Sequence, residues 1–450
     1  MEEEESNMDF EKIVTRSKEV GIEDIEIYAG TSIGTSISLF NGEVDKFTVK
    51  DLEVVSIRGI YQGKMGYITT EKLSDDDIDS LLESLKQNAL MIEAKEESII
   101  YEGSKEYRLL PHKENPFLKV SSAEKIELLK TLEKSIKETD PRIKQVSNCS
   151  YSESVSEVRI INSKGLNLKK SDFYGFMMAA GVARTESEVT SVFDYQIKDN
   201  FTSFDPVSLG QEIAKATVSK LNADTVASKS YPVVLKNDVV ADLIGAFKGM
   251  FSGEMLFKNL TLLKGKENTQ IMGENISIID DPFLEEGLSK SSFDDEGVAC
   301  NEFEVVKDGV FKGFMHNLKT AKIFKTNPTG HGFKPSIYAS VGVAPTNLYL
   351  KPGTNEFDAL LEGIEEGIYI TQVEGLHAGI DPVSGSFSLK SSGFLIEQGK
   401  LSRAVKLIVA SGKFLELFNQ VEQIGNDLRF TYSGIGAPSI KIKQLQISGK

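Results

Sequence analysis

Histidine is the residue in this 450-residue chain best suited to bind a metal or move a proton near neutral pH, and it is scarce. The four are His112, His316, His331 and His377. Imidazoles from distant loops need only meet in space to hold a metal ion. Their spacing along this sequence does not indicate such a site, and we favour loop histidines that are satisfied by hydrogen bonds. His112 lies in a polar connector, where we expect a surface position.

Two of the histidines lie in loops suited to contact a ligand. Gly330 and His331 belong to the loop Asn327–Gly332, whose residues break helices and allow close approach of the backbone. His377 begins a second loop that follows Gly375 and carries the carboxylate of Asp381 four residues on.

Acidic, serine and cysteine side chains offer further chemistry. The run Phe293–Gly297 contains three consecutive carboxylates, which could support acid–base catalysis or hold a cation. A solvated acidic turn is the interpretation that we favour. Ser386 and Ser391–Gly393 do not match the strained turn that exposes a serine nucleophile. Cys149 and Cys300 match no metal or redox spacing, and we predict that both are buried.

The element on which these residues depend begins at Ser230. Tyr231–Leu235 predicts a buried strand, and a helix follows, capped at Asn237 or Asp238 and ended by Gly253. Its apolar residues recur at helical spacing: Val239, Val240, Leu243, Ile244, Phe247, Met250 and Phe251. Before Glu254 this helix has no histidine, cysteine or glutamate. The sequence therefore predicts a packing helix that binds no metal.

Composition limits the classes of partner. The net charge is −16, and no cluster of lysine and arginine offsets it, so we do not expect direct binding of nucleic acid. The first ten residues lack the apolar core of a signal peptide, and no apolar run approaches the length that spans a bilayer. We expect no membrane association and a reducing, cytoplasmic location.

The order of elements predicts an α+β fold of two domains. Residues 1–225 predict an N-terminal domain of helices and a largely antiparallel meander, with a hairpin at Asn41-Gly42 and a capping box at Ser121. Residues 226–450 predict a mixed, β-rich domain around a buried central helix. Within it we predict a helix at Leu318–Phe324 and a last helix at Phe414–Ile424.

The second half resembles one known family, the modulator-of-gyrase or TldD/PmbA (TldE) metalloproteases. Each matching stretch is short, but their order and spacing over about 200 residues make the resemblance specific. The stretches are Phe251–Gly253, Phe293–Gly297, Val306–Val310, Thr329–His331, Ile380–Ser388, Ser392–Glu397 and Ile424–Leu428.

The family has two branches, and this chain resembles the one without a zinc motif. The TldD branch carries HExxxH on the helix after the strand that matches Tyr231–Leu235, with a cysteine near the C-terminus as a further zinc ligand. Here the matching residues are Gly245–Met250, and Arg429–Ile442 has no cysteine. The chain therefore resembles the PmbA/TldE branch, which implies no cofactor on this chain and zinc on a TldD-type partner.

The resemblance implies a subunit of a cytosolic TldD/TldE-type metallopeptidase. Such a pair degrades or processes unfolded peptides, in proteolysis, peptide maturation and antitoxin turnover. The chain itself is then a non-catalytic partner that shapes the substrate groove, for which Gly330, His331, Gly375, His377 and Asp381 are the candidate residues. No catalytic or metal-binding residue is expected on it.

Two other functions stay open on the sequence. The chain could be a self-sufficient hydrolase with an unrecognised site, or a peptide-binding or regulatory protein without enzymatic activity, present as a homodimer. Bound zinc with activity in the absence of a partner would favour the first. A neighbouring gene for a TldD-like protein with HExxxH would favour the peptidase subunit over the second.

Overall fold

The computed structural model describes residues 10–71, 73–93, 99–111, 114–186 and 188–450, and it confirms the α+β fold. His112 lies outside these residues. The helices are α1 (Phe10–Glu19), α2 (Ile78–Met91), α3 (Ser122–Thr139), α4 (Pro206–Ser219), α5 (Asn237–Phe247), α6 (Gly253–Phe257), α7 (Leu318–Phe324), α8 (Phe357–Leu361) and α9 (Phe414–Asn419). Short 3₁₀ turns lie at Asp75–Asp77, Phe201–Ser203 and Lys248–Phe251.

The strands are given in chain order, first those of the N-terminal half. They are β1 (Asp24–Phe40), β2 (Glu43–Tyr61), β3 (Lys64–Thr70), β4 (Ile143–Asn162), β5 (Asn167–Arg184) and β6 (Val189–Lys198). Next come β7 (Lys229–Leu235), β8 (Ile278–Asp280), β9 (Phe303–Lys307), β10 (Val310–Phe311), β11 (Gly332–Phe333), β12 (Gly342–Val343) and β13 (Leu348–Leu350). The rest are β14 (Glu366–Glu374), β15 (Ile380–Asp381), β16 (Ser386–Glu397), β17 (Lys400–Lys413), β18 (Val421–Ile424), β19 (Arg429–Phe430), β20 (Ile435–Ala437) and β21 (Ile440–Ser448).

The first six strands form one antiparallel sheet in the order β3-β2-β1-β4-β5-β6. The predicted hairpin at Asn41-Gly42 joins β1 to β2, and both residues have positive φ, as a tight hairpin turn requires. The predicted capping box is present at the start of α3, where Ser121 and Glu124 exchange hydrogen bonds. The meander predicted for the first half is confirmed.

Alternate residues of β1 separate the two faces of this sheet. Ile25 and Ile27 pack with α1 and α2, and Ile37 packs in a second cluster with α3 and α4. Tyr28, on the opposite face, packs against Phe293 of the second half. One face of the sheet therefore carries helices, and the other receives the C-terminal half.

The C-terminal half contains a closed ring of five strands. The order β14-β7-β21-β17-β16 is closed by pairing of β16 with β14. A second sheet follows the order β10-β9-β8-β13-β20-β19. Both contribute to one apolar cluster that also contains the buried face of α5. The predicted buried central helix is therefore confirmed.

Three local predictions in this half are wrong. Helix α5 begins at Asn237 with Lys236 as its N-cap residue, because the Asn237 side chain instead donates a hydrogen bond to Asp427. Gly253 does not end a helix, because it is the first residue of α6. Its lack of a side chain instead allows close packing, since a Cβ there would lie 2.3 Å from His316 Nδ1. The expected last helix stops at Asn419, because Val421–Ile424 pairs with β21 as strand β18. Tertiary pairing overrides the helical pattern there.

The helix predicted at Leu318–Phe324 is present with those bounds as α7. No described helix is long and apolar enough to cross a membrane. The division of the chain into two domains at residue 225 stays a prediction.

Candidate functional site

The outer face of α5 is where the family resemblance would place a metal ion. Seven of its eleven residues are buried, and Phe247 packs against Phe414 with ring centroids 4.8 Å apart. On the remaining face, a Cβ on Gly245 would lie 3.5 Å from Ile435 Cγ1. A Cβ on Gly249, in the 3₁₀ turn after α5, would lie 3.8 Å from Met255 Cγ. Gly245, Ala246 and Gly249 are partly buried, so small residues occupy the face where the resemblance would place zinc ligands.

Charged side chains surround the N-terminal end of this face. Arg429 contacts Asp238 of α5 at 3.3 Å and Asp194 of the N-terminal sheet at 2.5 Å. One turn after Asp238, burial and the Asp238 carboxylate raise the pKa of Asp242 to about 6. Burial also lowers the pKa of Lys248. The cluster joins the two halves of the chain and concentrates ionisable groups beside α5.

The residues of this face do not fit a zinc ion. Zinc requires imidazole, thiolate or carboxylate ligands, and Gly245–Met250 supplies none of them. Across the part of the chain that the structure describes, no three histidine, cysteine or carboxylate side chains are grouped so that they could hold a metal. The free cysteines Cys149 and Cys300 are both buried, as predicted.

His331 is enclosed by the protein itself. Its side chain is 1% exposed, with Nε2 3.2 Å from Asp280 Oδ2 and Nδ1 2.8 Å from Thr329 Oγ1. Gly330 has positive φ, and a Cβ there would lie 2.7 Å from Ala299 O. The close approach that this glycine permits is therefore made to the chain's own backbone.

The second predicted loop is open to solvent. His377 and Asp381 are exposed, and the Asp381 carboxylate accepts hydrogen bonds from the backbone N–H groups of Val383 and Ser384. Gly375 has positive φ, and its carbonyl accepts hydrogen bonds from the two residues after His377. These contacts give Gly375 and Asp381 a turn-forming role. Whether the loops at residues 330 and 375 line one peptide groove stays a prediction.

The acidic run after Phe293 is buried, so the solvated turn favoured from sequence is wrong. Asp294 is fully buried and accepts hydrogen bonds from three backbone N–H groups, those of Glu296, Val298 and Gly332. Burial and the adjacent Glu296 carboxylate raise its pKa. Asp295 accepts a hydrogen bond from Tyr28 and lies 3.0 Å from Lys170, both on the N-terminal sheet. The run is therefore a point of contact between the N-terminal sheet and the C-terminal half.

Beside this acidic turn the two halves enclose a cavity of about 640 Å³, a volume typical of small-molecule sites. The N-terminal sheet contributes Glu26, Tyr28, Arg58, Met65 and Tyr67. The C-terminal half contributes Asp295, Glu296, residues of α7, and Lys334 with the segment at 338–341. Arg58 donates a hydrogen bond to Glu26 at 2.7 Å and lies 3.6 Å from Glu296.

Sequence reasoning missed most of this cavity. Arg58 and Tyr28 lie on strands for which the sequence predicts hairpins and no functional role. Only the three-dimensional fold brings these two residues to the acidic turn. Two signals were present in the sequence. The three adjacent carboxylates mark the turn, and the loop at His331 leads within three residues to Lys334, whose backbone N–H donates to Asp295.

Comparison with family models covers nearly the whole chain. Residues 25–89 match the model described as PmbA/TldA metallopeptidase domain 1. Residues 115–221 match the central domain, and residues 228–449 match the C-terminal domain of the same family.

Individual relatives agree with these matches. The metalloprotease PmbA of Escherichia coli O157:H7 is 23% identical, with 94% of this chain and 92% of that protein covered. A zinc metalloprotease TldD homolog of Saccharolobus solfataricus is 26% identical, with 88% and 90% covered.

Solved structures show the same fold. A Thermotoga maritima protein described as a candidate modulator of a DNA gyrase superposes with a TM-score of 0.91 and 32% identity, over 98% of this chain and 99% of that one. TldE from Thermococcus kodakarensis superposes with a TM-score of 0.90 at 23% identity, over 98% and 100%.

Proposed function

The chain belongs to the PmbA/TldD metallopeptidase family, and from this membership we propose that it is a TldE-type, non-catalytic subunit of a cytoplasmic peptidase. Its partner is a TldD-like chain that carries the zinc ion. The substrate is an unfolded peptide that the pair degrades or processes.

The observation that carries this proposal is the composition of Gly245–Met250, at the end of α5 and in the 3₁₀ turn that follows it. A hydrolytic zinc site needs ligands for the ion and usually a carboxylate that takes a proton from the bound water. The six residues from Gly245 to Met250 offer glycine, alanine, phenylalanine, lysine and methionine. The carboxylates of the helix, Asp238 and Asp242, belong to no group of three metal-binding side chains among the described residues. In this proposal the catalytic zinc ion therefore lies on the partner chain.

This subunit contributes shape and binding surface to the pair. The exposed loop Gly375–Asp381 ends in β15, a two-residue strand at the margin of the sheet beside β16. An extended peptide can add to such a margin through main-chain hydrogen bonds. His377 is the exposed side chain in this loop that offers a ring to a passing peptide.

The test is reconstitution of the chain with a TldD-like protein from the same organism. Zinc content and cleavage of an unfolded peptide are measured for each chain alone and for the pair. We expect zinc on the TldD-like chain, none held tightly by this chain, and cleavage by the pair. Replacing the glutamate of the partner's HExxxH by glutamine removes the cleavage.

Two results contradict the proposal. Near-stoichiometric zinc and cleavage by this chain alone would identify a self-sufficient hydrolase. Failure of the two chains to associate, with a stable homodimer instead, would favour a binding protein.

The role of the loop is tested separately: cleavage by the pair with His377→Ala is compared with cleavage by the pair with Lys266→Ala, at an exposed position elsewhere. Equal cleavage by the two variants would remove His377 from the groove.

A further inference from the structure

The cavity between the N-terminal sheet and α7 is lined by both charged and apolar side chains. The cationic side chains among its described lining residues are Arg58, Lys64, Lys319, Lys322 and Lys334. The anionic side chains among its lining residues are Glu26, Asp295 and Glu296.

The three carboxylates of the lining are already engaged by the protein. Glu26 accepts from Arg58, and Asp295 accepts from Tyr28 and from the backbone N–H of Lys334. Glu296 accepts from the backbone N–H of Leu318 at 2.8 Å. None of these hydrogen bonds comes from the side-chain ammonium of Lys334.

Lys334 is among the residues that line the cavity, and its ammonium is the candidate partner for an anion. Its Nζ lies 3.9 Å from the centroid of the Tyr28 ring, and among the described residues no carboxylate or carbonyl hydrogen-bonds to it. Burial lowers the pKa of this amine to about 8, with Asp295 and Glu26 opposing the shift and Arg58 adding to it. A partly buried ammonium without an acceptor gains free energy from an incoming anion.

Apolar side chains complete the lining. Met65 enters from β3, Ile323 from α7, and Val341 from the segment after Tyr338. A ligand that fits both parts has an apolar chain and one terminal negative charge. Its size is limited by the cavity of about 640 Å³.

We propose that this cavity binds a carboxylate at the end of an apolar chain, specifically the C-terminal carboxylate of a peptide with apolar last residues, with Lys334 as its counter-ion. This proposal rests on the proposed peptide-binding function and adds a chain-end specificity to it. A fatty acid presents the same chemistry, and the experiment separates the two sources.

The absence of tryptophan from the chain allows a direct assay. The probe is a short peptide with one tryptophan and two C-terminal leucines, and its fluorescence anisotropy is followed as the full chain is added. The free acid is compared with the C-terminal amide of the same sequence, and decanoate is tested as a competitor. We expect the acid to bind about tenfold or more tightly than the amide, as loss of one charge-assisted hydrogen bond predicts.

Lys334→Met should remove this preference, so that acid and amide bind alike. Lys266→Met, at an exposed site outside the cavity, is the matched charge control and should keep the preference. Ala339→Phe, which fills the cavity from a partly exposed position, should weaken both ligands. Circular dichroism establishes that each variant is folded. The affinity of wild type for the acid should also fall above pH 8, as the amine loses its proton.

Equal binding of acid and amide by the folded wild type would overturn the proposal, and so would a preference that survives Lys334→Met. Binding of decanoate without binding of the peptide acid would reject the peptide and leave a fatty-acid site. Assembly with a TldD-like chain is measured separately. The proposed function can therefore stand when this inference fails.

Discussion

The guanidinium of Arg58 lies 3.6 Å from the carboxylate of Glu296 and joins strand β2 to the acidic turn of the C-terminal half. The same guanidinium donates to Glu26 on β1 at 2.7 Å. The side chains of these residues are at most 16% exposed. One cation therefore balances two buried carboxylates from different parts of the chain.

Removing this cation should destabilise the protein strongly. In Arg58→Met, Glu26 and Glu296 remain buried without their counter-ion, and loss of one partner of a buried ion pair typically costs about 3–5 kcal/mol. We expect a lower midpoint of urea unfolding. Adding Glu296→Gln to Arg58→Met should recover part of the loss, because one unpaired charge is then absent.

The exposed pair Arg142–Asp140 provides the control for this experiment. Arg142→Met removes the same charge from a solvated position, so the unfolding midpoint should change little. Equal effects of Arg58→Met and Arg142→Met would show that the Arg58 network contributes no more than a surface pair.

Two nearby glycines provide a second test of packing. A Cβ on Gly253 would lie 2.3 Å from His316 Nδ1 and 3.0 Å from Met315 O, whereas on Gly249 its nearest neighbour would be Met255 Cγ at 3.8 Å. Gly253→Ala should destabilise by about 1–3 kcal/mol through overpacking. Gly249→Ala should be neutral or stabilise by about 0.5–1 kcal/mol. Thermal unfolding of the two variants measures the difference, and a stability of Gly253→Ala equal to wild type would contradict the close contact.

The sequence predicted the elements whose signals are local. Asn41-Gly42 fixes a tight turn through its own backbone preferences, and Ser121 with Glu124 caps α3 by contacts within one turn. The packing face of α5 follows from its apolar spacing alone. Each of these features depends on residues that are close in the chain.

The features that sequence reasoning missed depend on distant partners. Val421–Ile424 has an apolar pattern that suits a helix, and only its pairing with β21 makes it a strand. The acidic turn at Asp294–Glu296 reads as solvated until Tyr28, Arg58 and Lys170 are placed against it. Burial of the loop residue His331 likewise involves Asp280, which belongs to strand β8. Pairwise contacts at long range carry no periodicity that one sequence can reveal.

Metal chelation should separate this chain from its proposed partner. Because the α5 face has no ligand set for zinc, EDTA should leave the thermal unfolding midpoint of the isolated chain unchanged. The same treatment should abolish peptide cleavage by the reconstituted pair, and added zinc should restore it. A midpoint that falls when EDTA is added to the isolated chain would show that it holds a structural metal.

Asp242 should make stability depend on pH in the direction opposite to that of a salt-bridged carboxylate. Its pKa is about 6 in the folded chain against an ordinary value of 3.8, so the folded state binds this proton more tightly than the unfolded state does. The buried charge therefore destabilises the protein increasingly as pH rises from about 4 to about 6, and above that range the loss stays constant. Asp242→Asn removes that charge, and we expect it to stabilise by about 1–2 kcal/mol at pH 7.5, after discounting for partial exposure.

At pH 4.0 the gain from Asp242→Asn should nearly vanish, because the wild-type carboxyl is then protonated in the folded state. Urea unfolding at the two pH values measures both differences, on either side of the isoelectric point near 5.0. Asp51→Asn, at an exposed position on β2, removes one negative charge without removing a buried one and should show no such contrast. A gain from Asp242→Asn that is equal at both pH values would mean that Asp242 is ionised throughout and that burial does not hold its proton.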